Sequence, residues 1–245
     1  MANLRRHYCE PRGLSKGMIA ESREGIIKAM RQTLLTIGHS THTLEHFAEL
    51  LKKHNVQAVC DVRSVPFSRH NPQFNRGPIS QELKRLGIYY GFMGRELGAR
   101  SDNPNCYIEG KVQYKYLAKE PLFLKGLRRV KNGLNTYRVA VMCAERDPLT
   151  CHRTILVCRE LRSPDLSIEH ILADGSIETN EAAEKRLMSM LNLSPDMLNS
   201  ERDCIESAYD KQANMIAYEK PSQDSDIDFG FHSSADEDLH DWLHE

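Results

Sequence analysis

The sequence has no apolar run approaching the roughly 18 residues that cross a membrane. Its first residues lack the apolar core of a signal peptide. Both absences point to a chain that works in water, and the expected location is cytoplasmic, with no membrane partner. No C-x-x-C pair occurs, and the seven cysteines, at 9, 60, 106, 143, 151, 158 and 204, are odd in number. That usage fits reduced thiols rather than a disulfide framework. Lys and Arg are missing from Pro221 to Glu245, which carries eight Asp or Glu. The first 220 residues therefore hold all 33 Lys and Arg against 26 acids, a balance of +7. Tryptophan occurs once, at 242.

What is present divides into four parts. Residues 1–32 form a basic extension, with seven Lys or Arg against three Asp or Glu, in which Ile19, Ile26, Ile27 and Met30 recur at helical spacing. Residues 33–193 read as one α/β domain and 194–220 as a C-terminal helix. Residues 221–245 are too polar to offset the entropy of ordering and are expected to be a disordered acidic tail. In that tail Leu239, Trp242 and Leu243 offer a short docking motif for a protein partner.

From Thr33 strand and helix signals alternate. Leu34 to Ile37 is a short apolar strand, and Leu44, Phe47, Leu50 and Leu51 trace the buried face of a helix. Val56 to Val62 is a second strand. Strand, helix and strand within about 30 residues make a right-handed βαβ unit, so the sheet is parallel here. Ile79 to Leu86 reads as a helix and Ile88 to Phe92 as a strand. Val112 to Leu117 is expected to be helical, and Pro121 to open a helix that Asn132-Gly133 stops. Ser167–Leu172 and Ile177–Thr179 flank the turn Asp174-Gly175 as a hairpin. Asn180 is expected to cap a helix through Leu191, and Ser194-Pro195 to open a longer one. The fold class is a three-layered α/β domain with a mainly parallel sheet.

The chain is organised around Tyr137 to Arg162. Arg138 to Met142 suits a strand buried on both faces. Pro148 breaks the chain after it, Thr150 is a plausible N-cap, and Cys151, His152 and Arg153 then fall in the first turn of a helix. Unsatisfied backbone N–H groups and the helix dipole favour an anion or a thiolate there. Open parallel sheets bind ligands at the carboxyl ends of their strands, and the polar clusters here follow strands. His39-Ser40 follows the first, Asp61 and Arg63 the second, Arg95 the third, and Cys143 and Glu145 the fourth.

These stretches also carry a resemblance. TIGHS at 36–40, DVRSVPFSR at 61–69, Phe74-Asn75, LGIYY at 86–90, ELGAR at 96–100, CAERDPLTCHR at 143–153 and HILADG at 170–175 together resemble the domain of unknown function 488 family. The resemblance covers about 34–175 and implies a compact α/β protein whose functional residues are these motif positions. It implies no reaction.

The candidate catalytic residues are accordingly His39, Asp61, Glu145 and Cys151. Ser40, Arg63, Ser68, Arg69, Arg95, His152 and Arg153 are the candidates for binding substrate or anion. Cys60 and Cys158 read as core. Three functions fit. In the first, an enzyme holds a phosphate-bearing substrate at the Cys-His-Arg helix while Asp61, Glu145 or His39 does acid–base work or Cys151 attacks covalently. It needs no cofactor, and its partner is a phosphorylated small molecule or a nucleic acid. In the second, the domain binds nucleic acid without catalysis. Between Arg63 and Arg100 seven Lys or Arg face two Asp or Glu, interleaved with Phe67, Phe74, Tyr89, Tyr90 and Phe92. In the third, Cys143, Cys151 and a histidine such as His39 bind zinc.

Overall fold

The computed structural model describes residues 32–220. The expected helix at 19–30, the acidic tail and the Trp242 motif lie outside them. In chain order the elements are β1 (Gln32–Gly38), α1 (Leu44–Lys53), β2 (Ala58–Asp61), α2 (Arg76–Arg85), β3 (Tyr89–Phe92), α3 (Gly94–Leu97), β4 (Tyr107–Ile108), β5 (Lys111–Val112), α4 (Tyr114–Leu117) and α5 (Pro121–Leu134). β6 (Val139–Cys143) follows, then a π-helical stretch Arg153–Cys158 that runs into α6 (Arg159–Leu161). β7 (Leu166–Ile171), β8 (Ile177–Thr179), α7 (Asn180–Met190) and α8 (Glu201–Ile216) complete the domain.

Six strands form one sheet in the order β3-β2-β6-β1-β7-β8, parallel throughout except for β8, which returns antiparallel to β7. Strand alternation sends Leu35, Ile37, Val59, Ala140 and Met142 to one face, where α1 and α2 cover them with Phe47, Leu50, Leu51, Ile79 and Leu83. Leu34, Ala58, Cys60, Val62, Val139, Val141 and Cys143 go to the other, under α5, the π-helical stretch, α7 and α8. Full burial of a side chain such as Phe47 or Leu51 contributes about 1.5–3 kcal/mol. The three layers follow from handedness. The crossover that leaves β1 runs toward β2 and β3 and lies on the first face, whereas the one that leaves β6 runs toward β7 and lies on the second. β1 and β6 are neighbours, so their two connections diverge and open a crevice between the strand ends, the topological switch point of an open α/β sheet.

Several boundaries differ from the sequence reading. α5 runs through Asn132-Gly133 to Leu134, because Gly133 is buried and its carbonyl still takes the Thr136 and Tyr137 N–H groups. Lys111–Val112 pairs with Tyr107–Ile108 across Glu109-Gly110, both left-handed, so only Tyr114–Leu117 of that stretch is helical. Thr179, not Asn180, caps α7. Asp196 ties up the Leu198 and Asn199 N–H groups in a turn, and the Ser200–Asp203 capping box delays α8 to Glu201. Among the described residues no helix is long and apolar enough to cross a membrane.

Candidate functional site

Each side of the switch point carries its own cluster. On the α1/α2 side Asp61 ends β2, fully buried. Its carboxylate accepts from Arg63 Nε at 2.9 Å, Arg63 Nη2 at 2.6 Å, the Arg63 backbone N–H at 3.1 Å and the Tyr90 hydroxyl at 2.7 Å. Arg63 Nη2 also donates to the Phe74 carbonyl at 2.8 Å, and Nη1 meets His39 Nε2 at 3.1 Å. A guanidinium only donates, so Nε2 of His39 carries the lone pair and Nδ1 the proton, which goes to the Ser40 carbonyl at 2.9 Å. Burial first, and then the Arg63 charge, holds the His39 pKa down to about 4. Its ring stacks on Phe74 with centroids 4.3 Å apart. Every arm of Arg63 is engaged, and the cluster is closed.

On the opposite side Cys143 ends β6. The loop that follows places Glu145, Cys151 and His152 around it, with their ligand-type atoms and the Cys143 sulfur all within 4.8 Å of one another. Cys143 Sγ meets His152 Nδ1 at 3.5 Å, and Cys151 Sγ donates to Glu145 Oε2 at 2.9 Å. His152 Nε2 bonds the Val62 carbonyl at 2.9 Å, which links this cluster to the end of β2. The thiols and the imidazole are buried, while Glu145 is an exposed residue whose carboxyl turns inward. Arg153 is wholly buried. It donates through Nη1 to the Glu145 carbonyl at 2.7 Å and through Nη2 to the Arg146 carbonyl at 3.3 Å, and its Nε has no partner among the described residues. Gly38 makes this approach feasible, since a Cβ there would drive into the Glu145 carbonyl.

The two thiols titrate apart. Burial raises both. At Cys151 the Cys143 hydrogen bond, the Arg153 charge and His152 outweigh burial and hold the thiol well below its ordinary value. Cys143, beside that thiolate, is held well above it. Burial, and then Cys151, raises Glu145. Tyr114, buried over the cluster, is raised by burial and then by the same charges. Cys60 and Cys158, in the core, are pushed up to about 12 by burial.

Cys151 does not sit in a helical turn. Asp147 caps a short 3₁₀ turn, Pro148–Thr150, and Cys151 is extended at φ −129, ψ 139, with the π-helical stretch starting at Arg153. Cys151 is instead the cap of the helix that follows: its carbonyl takes the Ile155 N–H at 3.1 Å and its sulfur the Arg153 N–H at 3.4 Å, and the neighbouring side chains add to what favours its negative charge. Of the expected charge pairs, Asp61–Arg63 forms, whereas Arg153 takes the backbone oxygen of Glu145 and leaves the carboxylate to Cys151. Ser40 is left-handed at φ 48 and supplies its carbonyl to His39. Ser68 organises its own loop, where its hydroxyl takes the His70 and Asn71 N–H groups. Arg69 is exposed on the loop after β2, and Arg95 is exposed in α3, just after β3. The histidine beside Cys143 and Cys151 is His152 and not His39, both of whose nitrogens are committed on the other face.

Sequence reasoning gave Cys143 a role only in the zinc reading and Phe74 and Tyr90 a role only as base-stacking aromatics, and it passed over Tyr114. It also passed over Arg146, an exposed residue beside Glu145 whose guanidinium makes no ion pair among the described residues. Arg146 lines a cleft of about 520 Å³ with Leu172, Ala173, Asp174 and the Arg186–Asp147 pair. The signal for Cys143 was its eight-residue separation from Cys151 across a strand end.

No curated protein and no solved structure matches the chain. Residues 43–159, which hold every member of both clusters except His39, match the family model described as Domain of unknown function DUF488, and the domain built from them belongs to that family.

Proposed function

We propose that the domain is an enzyme acting on a phosphate-bearing substrate, a nucleotide or nucleic acid, at the carboxyl end of β6. The observation that carries this reading is the position of Glu145 and Arg146 at the switch point. A carboxyl in contact with a buried thiol cluster stands next to a guanidinium that has no ion pair among the described residues and lines an open cleft. In this reading Arg146 holds the phosphate and Glu145 exchanges the proton. Asp61, Arg63 and His39 fix the strand ends rather than touch substrate, because their hydrogen bonds are already spent on one another.

The binding-only alternative loses support from the aromatic residues it needs. Phe74 and Tyr90 are buried, and Tyr89 packs on Tyr137 with ring centroids 4.8 Å apart. The test is hydrolysis of phosphomonoesters, phosphodiesters and nucleotides by the full chain. Glu145→Gln is expected to lower kcat by about 10²–10⁴, and Arg146→Ala to raise KM with a smaller effect on kcat. No turnover of any of these esters, with nucleic acid bound equally by both variants, contradicts the proposal.

A further inference from the structure

We infer that Cys143, Cys151 and His152, with Glu145 as the fourth ligand, hold one zinc ion. This is the single group among the described residues in which three or more histidine, cysteine or carboxylate side chains converge on one point. Donor atoms around a tetrahedral zinc with bonds of about 2.0–2.3 Å stand roughly 3.3–3.8 Å apart. Here they lie within 4.8 Å, with Cys143 to His152 at 3.5 Å and Cys151 to Glu145 at 2.9 Å. Side-chain shifts of under about 1 Å complete that geometry.

Two further observations prepare the site for a cation. A carbonyl can only accept, so the bond from His152 Nε2 to the Val62 oxygen fixes the proton on Nε2 and leaves the Nδ1 lone pair on the side of Cys143. Ligating histidines are held by backbone carbonyls in this way. The second is charge. Arg153 is wholly buried, donates through its two Nη groups to carbonyls, and has no carboxylate in an ion pair with it among the described residues. Zinc with two thiolates and one carboxylate carries a net −1, and the guanidinium beside it brings the buried total to zero. Two sulfurs and an imidazole select zinc over magnesium or calcium. Three ligands are buried and the fourth is exposed. The ion would therefore be fixed from inside, with its exchangeable position at the mouth where Glu145 stands, as in zinc sites that keep one position for water. Binding itself does not rest on the phosphate reading, although the use of that position does.

The experiment is metal analysis of the full chain purified without chelator, followed by stripping under reductant and titration with cobalt(II). The expected result is about one zinc per chain. The cobalt form should show tetrahedral d–d bands and a thiolate-to-cobalt charge-transfer band. Cys143→Ser, Cys151→Ser and His152→Asn should lose the metal, and Cys60→Ala and Cys158→Ala should keep it. The cobalt spectrum is read on the unsubstituted chain, so a variant that misfolds does not blunt the test. Less than a tenth of an equivalent of zinc together with no charge-transfer band overturns the inference. Zinc binding without ester hydrolysis leaves it standing and removes only the phosphate reading, and hydrolysis by a chain that binds no metal does the reverse.

Discussion

The two clusters at the switch point lie on opposite faces of one sheet and solve the problem of burying charge in opposite ways. On the α1/α2 side Asp61 and Arg63 neutralise each other, and Tyr90, Phe74 and His39 take up the remaining donors and acceptors. On the other side Arg153 is as deeply buried and is answered only by carbonyls and by a thiol cluster that must become negative to balance it. A network that closes on itself holds strands in place. One that sets a guanidinium against thiols makes its charge balance depend on their ionisation. The comparison teaches that proximity to a sheet's carboxyl rim does not make a residue reactive, and that incomplete satisfaction is the better mark.

The largest expected effect tests closure. Asp61→Ala leaves the Arg63 guanidinium buried beside the Tyr90 hydroxyl with no anion, and breaking one partner of a buried pair costs about 3–5 kcal/mol. Urea unfolding measures it. A loss below about 1 kcal/mol would mean that water reaches Arg63 and that the closed side is open.

An effect smaller per residue, present on both sides, appears on acidification. His39 lies on the closed face. His170 lies on the other, wholly buried, with Nδ1 2.8 Å from Thr36 Oγ1. Burial first, and then an arginine charge, holds each down to about 4 from an ordinary 6.5. Between those values the unfolded chain binds the protons that the folded chain refuses. The stabilisation is therefore complete above about pH 6.5 and is lost as pH falls toward 4, on the order of 3 kcal/mol for each imidazole. Unfolding midpoints measured from pH 7 to 4 should fall steeply, and His170→Gln should flatten the slope by about half. A flat profile would show that the imidazoles are hydrated or charged in the fold.

The contrast was only half legible in the sequence. Short apolar strands and one amphipathic helix spaced as βαβ gave the parallel sheet, because the periods of 2 and 3.6 are local properties. Asp61 and Arg63 were readable as a pair from their place after a strand. That they occupy one face and Cys143 the other depends on the direction in which each crossover runs, which is a property of strand order and not of spacing. The position of Cys151 was misjudged for a related reason. Asp147-Pro148 makes a turn of its own, which uses up Thr150, and the helix begins one residue later, at His152, with Cys151 as its cap. The replacement of His39 by His152 in the thiol cluster likewise required the bond to Val62, 90 residues away.

On the proposed function the thiol side, and not the carboxylate–guanidinium side, holds the reactive centre. The most direct measurement is alkylation by iodoacetamide near neutral pH on the chelator-stripped, folded chain, with the modified cysteines mapped by mass spectrometry. Cys151, whose thiolate is favoured by Cys143, Arg153 and His152 and whose partner Glu145 stands at the surface, is expected to react well before Cys60, Cys143 and Cys158. Equal and slow labelling of all four would contradict the account.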